Sequence, residues 1–264
     1  MSLIYERPDD YDLEHLEDDD DIEFYGRLFR KLAPSVTIEL GCGTGRITVP
    51  LAELAALKES QVIGIDSSKK MLDKAGERLA EASEGARKSA QFLEADMRSW
   101  CPEHPADLVI VPCASVSHLL GLDDQLRLWR TTYENLRAGG RFVVEVQMPD
   151  LAELAESQTR PARSLSEIDR DISDDDNKSR LLRYKTTSYA SNEQKAGVRF
   201  LYERFEGDVS VERYIDDFAS HVYFPRELQL LFIHTGFEIE SIIGDYRGRP
   251  LTPSSRIMMV TGRK

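Results

Sequence analysis

A glycine-rich turn follows a short apolar run in Thr37-Ile38-Glu39-Leu40-Gly41-Cys42-Gly43-Thr44-Gly45-Arg46. The run predicts a buried β-strand, and the apolar pattern of residues 46–56 predicts a helix after the turn. Glycines suit this position because the backbone must turn sharply and approach a bound ligand closely. The third glycine comes one residue too early for the dinucleotide fingerprint Gly-x-Gly-x-x-Gly. The turn therefore predicts a ligand-binding loop that fits NAD poorly.

Strand-like runs and helical patterns alternate along the chain around this turn. The runs are rich in Val, Ile, Leu and Phe without regular polar alternation, as expected for strands covered on both faces of a sheet. They span residues 36–40, 61–66, 90–95, 107–112 and 141–147, and the helical patterns span 46–56, 69–82 and 123–137. The last helix is followed by Gly139-Gly140 as a stop signal. Regular β-α alternation predicts an α/β fold with a doubly wound, mostly parallel sheet.

The pattern changes after Met148-Pro149. Residues 150–180 are polar and acidic, and β-rich segments at 181–189, 198–206 and 213–224 then predict an antiparallel meander. A helix at 226–235 and strands at 237–244 and 256–261 follow, with Pro225 and Gly236 at the two ends of the helix. We therefore interpret the meander as a substrate lobe inserted into the main sheet.

Composition narrows the class of protein. The chain has 264 residues, of which 41% are hydrophobic, enough for one sizeable core and a smaller lobe. The three cysteines include no Cys-x-x-Cys pair, which argues against a disulfide framework and a structural zinc site, and we predict no metal site. Apolar runs are too short for a membrane helix, and the N-terminus lacks the layout of a signal peptide. We therefore expect a cytoplasmic protein with no membrane partner.

The net charge of −13 is concentrated at the N-terminus, where the first 24 residues contain eleven acids and one base. We interpret the Asp run 18–21 as a solvated, mutually repelling segment. The rest of the chain is close to neutral and shows no strong basic stripe, so a nucleic-acid partner is not favoured.

Two acids stand where predicted strands end. Asp66 closes the strand 61–66, where an acid can accept hydrogen bonds from both ribose hydroxyls of a nucleoside. Helix capping is the alternative role, for which Ser67 and Ser68 are better suited. Asp96 and Met97 follow the next strand, where they are apt to bind an adenine amino group and to pack its ring; taken alone, Asp96 is equally a turn residue.

Five segments together resemble the successive motifs of class I S-adenosylmethionine-dependent methyltransferases: ELGCGTGRI (39–47), VIGIDSSKKMLDKA (62–75), LEADM (93–97), ADLVIVPCASVSHL (106–119) and LRAGGRFVVEV (136–146). The resemblance implies a Rossmann-like, seven-stranded sheet whose final strand is antiparallel, with the cofactor S-adenosyl-L-methionine across the carboxyl ends of the strands. It also implies that Glu39 and the loop 41–45 face the methionine moiety, Asp66 the ribose, and Met71, Asp96 and Met97 the adenine. The full set of predicted cofactor-binding residues is Glu39, Gly41, Cys42, Gly43, Gly45, Asp66, Ser67, Met71, Ala95, Asp96, Met97 and Cys113.

Within this class the chain looks most like small-molecule methyltransferases, particularly the amino-sugar N,N-dimethyltransferases. The segments that carry this likeness are Tyr11-Asp12-Leu13, residues 115–119 and residues 221–237. In that family the matching tyrosine and histidine lie at the methyl-transfer site, so the resemblance makes Tyr11 and His118 the candidate catalytic residues. Tyr25, on a predicted helix 21–31, is interpreted as a packing residue. The acidic run 18–21 and the polar stretch 150–180 have no counterpart in that family.

The resemblance implies three parts. Residues 1–34 would be an arm and helix that cover the active site, residues 35–148 and 225–264 the cofactor-binding core, and residues 149–224 the inserted substrate lobe. We expect methyl transfer by in-line displacement to a nitrogen or an oxygen of a small molecule. The alternatives are a non-catalytic S-adenosylmethionine-binding regulatory module, an RNA methyltransferase and an NAD-dependent oxidoreductase. The sequence does not name the methyl acceptor and leaves a homodimer open.

Overall fold

A computed structural model describes residues 2–16, 19–159, 168–173 and 179–264. The chain divides into two units: a core unit, Asp19–Met148 with Tyr223–Lys264, and an insert unit, Met1–Asp18 with Pro149–Val222. Each unit is described separately. In the described part of the chain, no helix combines the length and apolar character that a membrane crossing requires.

The strands, numbered along the chain, form two sheets. They are β1 (Val36–Leu40), β2 (Gln61–Asp66), β3 (Ala90–Glu94), β4 (Ala106–Val111), β5 (Leu136–Gln147), β6 (Ile168–Ser173), β7 (Ser179–Ala190), β8 (Lys195–Glu206), β9 (Val209–His221), β10 (Glu238–Ile243) and β11 (Ile257–Arg263). The core unit holds a seven-stranded sheet in the order β10-β11-β5-β4-β1-β2-β3. The pairs among β1 to β5 are parallel, whereas β11 runs antiparallel to both β5 and β10. The predicted Rossmann-like sheet with an antiparallel final strand is confirmed.

The helices are α1 (Pro8–Glu14), α2 (Asp20–Leu32), α3 (Thr48–Ala56), α4 (Lys69–Glu81), α5 (Glu84–Ser89), α6 (Leu122–Asn135), α7 (Leu151–Thr159) and α8 (Pro225–His234). Alternate residues of the central strands pack into two apolar clusters, as expected for a sheet covered on both faces. Phe142 and Val144 of β5 belong to the larger cluster with Trp129 of α6. Val143 belongs to the other cluster, with Tyr25 and Phe29 of α2.

The boundary between α6 and β5 differs from the prediction. The helix ends at Asn135, and Gly139-Gly140 lies within β5 rather than after a helix. Leu136 already pairs with Ala106, and the register shifts before Arg141 pairs with Leu108. Gly139, with a φ of +77°, adopts a left-handed conformation in this irregular stretch. The glycine pair therefore permits an irregularity within β5. The prediction that it is a helix stop signal is wrong.

The insert unit contains an antiparallel sheet in the order β6-β7-β8-β9, which is the predicted meander with one additional strand, β6. The last strand of the meander ends at His221, so its predicted extension to residue 224 is wrong. Asp216 of β9 accepts hydrogen bonds from the backbone N–H groups of Leu3 (2.7 Å) and Ile4 (3.1 Å). The N-terminal segment packs Ile4 against Leu181 and Tyr202 in a small buried cluster.

Candidate functional site

The predicted ligand loop lies at the carboxyl end of β1. Gly41, Gly43 and Gly45 all have left-handed backbone angles, with φ between +55° and +75°, which glycine adopts at little cost. The loop is joined to β2 because the N–H groups of Gly41 and Cys42 both donate to the carbonyl of Ile65, at 2.8 and 3.1 Å. The sequence therefore forms a fixed turn between β1 and α3.

Asp66, at the carboxyl end of β2, also contacts this loop. One carboxylate oxygen accepts from the N–H of Gly43 at 2.8 Å, and the other accepts from Ser68 at 2.8 Å. Burial raises the pKa of Asp66, while these backbone donors act in the opposite direction. Ser68, not Asp66, caps α4, since its side chain accepts from the N–H of Met71. Ser68 therefore caps the N-terminus of α4, as the sequence analysis suggested when it considered capping as the alternative role of Asp66.

The loop after β4 closes tightly on the glycine turn. A Cβ atom placed on Gly41 would lie 2.8 Å from Cβ of Ser115, so no larger residue fits there without movement. Cys113 and Ala114 both have left-handed angles, with φ of +53° and +54°. Two consecutive non-glycine residues in this region are uncommon, and such strain is often found at functional sites. His118 ends the short 3-10 helix that follows and is exposed.

Glu39 lies beneath the glycine loop and is almost fully buried. It accepts a hydrogen bond from the hydroxyl of Thr48, at the start of α3. Loss of water contact raises the pKa of Glu39 to about 8, although the Thr48 hydroxyl and the charge of Arg46 act in the opposite direction. Burial also raises the pKa of Cys42, which argues against a thiolate nucleophile in this loop.

The predicted adenine side lies at the carboxyl end of β3. The N–H of Ala95 donates to the carbonyl of Asp66, and the methyl group of Met97 lies 3.7 Å from the position that a Cβ on Gly41 would occupy. Asp96 accepts hydrogen bonds from the side chain of Arg98, which lower its pKa. The Asp96 carboxylate is therefore ionised and held in place by its neighbour.

Two buried polar contacts connect α2 to this end of the sheet, and the sequence analysis missed both. Asp21 pairs with Arg46 through both carboxylate oxygens, and Arg46 also lies 3.4 Å from the sulfur of Cys113. Asp21 is 3% exposed, so the interpretation of the run 18–21 as wholly solvated is wrong at this residue. Asp18, which opens that run, lies outside the described residues.

The second contact centres on Glu145 of β5. Its carboxylate accepts from the hydroxyl of Tyr25 at 3.1 Å and from that of Tyr246 at 2.7 Å. Burial raises the pKa of Glu145 to about 7, against the effect of these two donors. The interpretation of Tyr25 as a packing residue accounts for its ring, which is buried in an apolar cluster, but not for its hydroxyl. Apolar periodicity reveals a buried face, and it does not reveal polar pairs within that face.

The predicted site residues are divided between the two units. The core unit brings the predicted cofactor residues to the carboxyl ends of the adjacent strands β1, β2, β3 and β4. Ser67 is exposed and Met71 is buried at the start of α4. Tyr11 lies in α1 of the insert unit, half-buried, with its ring centroid 4.3 Å from that of His15.

Residues 38–140 match the family model described as a methyltransferase domain. A trans-aconitate 2-methyltransferase of Methylobacterium radiotolerans is 35% identical over 134 residues, which are 51% of this chain and 45% of that protein. The chain thus spans about half the length of this curated relative.

Solved structures show the same fold over nearly the whole chain. An S-adenosylmethionine-dependent methyltransferase of Clostridium acetobutylicum has a TM-score of 0.71 at 14% identity and covers 93% of this chain and 91% of its own. An S-adenosylmethionine-bound amino pentose methyltransferase of Micromonospora echinaspora has a TM-score of 0.67 at 15% identity, and the match covers 93% of this chain and 91% of that protein. Residues 38–140 are thus similar to a methyltransferase domain, and the chain has the fold of these S-adenosylmethionine-dependent methyltransferases.

Proposed function

We propose that the protein transfers a methyl group from S-adenosylmethionine to a nitrogen or an oxygen of a small molecule. The observation that carries the proposal is the joint geometry of the glycine loop and Asp66. The Asp66 carboxylate is fixed beside the loop by the N–H of Gly43. This arrangement suits a nucleoside with a charged tail. The glycine loop allows a close approach of the ligand, and the carboxylate lies at the end of the next strand.

The described residues fit this cofactor on two further counts. Gly41 lets the loop after β4 close on the glycine turn, since a Cβ atom there would lie 2.8 Å from Cβ of Ser115. Glu39, buried beneath the loop, offers a carboxylate near the predicted methionine end, where a ligand ammonium would favour its charged form. We propose that Asp66 and Ser67 bind the ribose side, and that Met71, Ala95, Asp96 and Met97 surround the adenine. Cys42 and Cys113 would contribute to the walls of the site.

When bound, S-adenosylmethionine supplies a methyl group on a positively charged sulfur. The protein must then hold the acceptor's lone pair in line with that methyl group and exclude water. We propose that His118 of the core unit lies at the methyl acceptor, while Tyr11 of the insert unit stays a candidate catalytic residue on the resemblance alone. An amine acceptor must be neutral to react, and the exposed imidazole of His118 could accept its proton.

The acceptor class is proposed as nitrogen or oxygen because the two kinds of comparison differ. The curated relative is named for methylation of trans-aconitate, whereas the structural neighbour is named an amino pentose methyltransferase. An acceptor screen should therefore contain both carboxylic acids and amino sugars. Mass spectrometry would identify methylated products.

Calorimetric titration with S-adenosylmethionine and S-adenosylhomocysteine tests the cofactor assignment. We expect both ligands to bind the wild-type protein. Asp66→Asn should weaken the binding of both ligands, since the amide group has only one oxygen that can accept hydrogen bonds. Asp73→Asn is the matched control, because Asp73 is exposed and pairs only with Lys69 among the salt bridges of α4 described here. Binding by neither ligand to the folded wild-type protein would contradict the proposal. Binding without turnover across the whole acceptor panel would favour the regulatory-module alternative.

A further inference from the structure

The Asp21–Arg46 pair joins three segments around the glycine loop. Asp21 belongs to α2, Arg46 directly follows Gly45 at the exit of the loop, and Cys113 lies in the loop after β4. The guanidinium of Arg46 donates to both oxygens of Asp21, with 2.9 Å between Nη1 and Oδ1, and it also contacts the sulfur of Cys113. The exit of the loop is thereby fixed to segments on two sides.

The pair is not needed merely to dock α2. Tyr25 and Phe29 of the same helix are 1% and 0% exposed in an apolar cluster that includes Leu51 of α3. Placing an ion pair at 3% and 8% exposure carries a desolvation cost, and well-packed apolar residues often stabilise such a position equally well. A two-point hydrogen bond between planar groups does fix distance and angle, which apolar contact does not.

Other contacts hold the remaining sides of the loop. Arg78 of α4 donates to the carbonyl of Thr44 at 3.1 Å, and the hydroxyl of Thr48 donates to Glu39. Asp66 holds Gly43. These groups belong to β1, β2, α3 and α4, whereas the Asp21–Arg46 pair is a polar constraint that comes from α2.

We infer that Asp21 is a positioning residue for the cofactor loop, which acts through Arg46 to set the geometry of residues 41–46. This inference rests on the proposed cofactor site. It assigns a role to one residue of the acidic N-terminal run, which the proposed function does not use. If Asp21 has this role, removing the Asp21–Arg46 pair disturbs residues 41–46 more than another substitution on α2 that lowers the free energy of unfolding by the same amount.

Asp21→Asn tests this inference, with Tyr25→Phe as the matched control. Tyr25→Phe removes the buried polar contact of α2 with Glu145 and leaves the pair intact. In ligand-free protein, hydrogen exchange of a peptide covering residues 41–47 should become faster in Asp21→Asn and stay unchanged in Tyr25→Phe. The Kd for S-adenosylmethionine should rise about tenfold in Asp21→Asn only, the scale expected when a positioning contact is lost.

A double mutant shows whether Asp21 acts through its partner. In an Arg46→Gln background, Asp21→Asn should produce little additional change in loop exchange or in Kd. If Asp21→Asn does not fold, Arg46→Lys replaces it, because lysine keeps the charge and loses the two-point contact. Thermal unfolding of each variant provides the stability against which the loop effects are compared.

The inference is overturned if Asp21→Asn, or Arg46→Lys in its place, gives the same loop exchange and the same Kd as Tyr25→Phe at matched stability. Failure of the wild-type protein to bind S-adenosylmethionine would instead contradict the proposed function. In that case the exchange of the loop in ligand-free protein still decides the positioning role, so the two failures are distinguishable.

Discussion

Glu39 is the residue at which burial and charge conflict most directly. Its carboxylate lies beneath the glycine loop with a pKa raised to about 8, mainly by desolvation. Between its ordinary pKa near 4.5 and about 8, the folded protein holds a proton that the unfolded chain releases. Unfolding free energy therefore falls as pH rises through this window, because the folded state binds more protons there.

Glu39→Gln should remove this dependence, since the amide is neutral at every pH and can still accept from Thr48. The unfolding free energy of the variant relative to wild type should rise by several kcal/mol between pH 5 and 8.5, at about 1.4 kcal/mol per unit of pKa shift. Urea denaturation at a series of pH values measures this difference. Glu53→Gln should show no change over the same range, because hydrogen bonds from Ser83 lower the pKa of Glu53 below its ordinary value. A flat Glu39→Gln curve would mean that Glu39 titrates normally.

Individual site residues differed in how far the sequence revealed them. Asp66 was predictable because its position at a strand end follows from chain order alone, and the structure places it against Gly43. The contacts of Asp21 with Arg46, and of Tyr25 with Glu145, join residues far apart in the chain. No local pattern encodes which distant group a buried side chain meets, so both pairs were missed.

Among the elements, the N-terminal segment contacts β9 of the insert unit through the carboxylates of Asp216 and Glu212, of which only Asp216 is almost fully buried. Asp216 is 1% exposed and accepts from the N–H groups of Leu3 and Ile4 and from the hydroxyl of Ser2. Replacing it with Asn leaves one oxygen for three donors, and buried donors without partners cost about 1–3 kcal/mol each. The N-terminal segment should therefore detach from β9 well before the sheet itself unfolds.

Asp217 provides the matched control for this prediction. It is the next residue on β9, its side chain is 54% exposed, and it pairs with Arg199 on β8. Asp217→Asn should cost less than about 1 kcal/mol, as exposed ion pairs do. Limited proteolysis followed by mass spectrometry should show faster cleavage near residues 2–7 in Asp216→Asn alone. Equal cleavage in the two variants would show that the packing of Ile4 and the Arg7–Glu212 ion pair are sufficient to hold the segment.

Periodicity predicted elements well where a helix or strand buries one continuous face. The strands β1 and β2 have the predicted bounds, and the predicted meander corresponds to β7, β8 and β9. The helix α7 and the strand β6 were missed within the polar stretch 150–180. In β6 the described side chains are exposed or only half-buried, so this strand has no apolar face for a pattern to reveal.

At the scale of the whole molecule, no buried apolar cluster of the described residues is shared between the two units. The core unit contains the two clusters on either side of its sheet, and the insert unit contains the cluster around Leu181 and Tyr202. The sequence analysis placed a boundary near residue 149 because a parallel sheet and an antiparallel meander have different periodicities. It did not predict that residues 1–18 group with the insert, since that association depends on contacts such as those of Asp216.

The division into units leads to a prediction about ligand-linked stability. All the proposed cofactor residues lie in the core unit, so S-adenosylhomocysteine should stabilise the unit that contains them. At a ligand concentration of about 100 times Kd, the stabilisation is about 2.7 kcal/mol, which slows exchange of the most protected amides about a hundredfold. Hydrogen exchange with and without ligand should show this slowing in β1, β2 and β4, while amides of β7, β8 and β9 keep their rates. Adenosine at the same molar concentration lacks the amino-acid tail and should bind more weakly, because Glu39 and the glycine loop then lack a partner; it should therefore slow exchange less in the same strands. Equal slowing in both sheets would contradict the assignment of the cofactor site to the core unit alone and would require residues of the insert unit to share in binding the ligand.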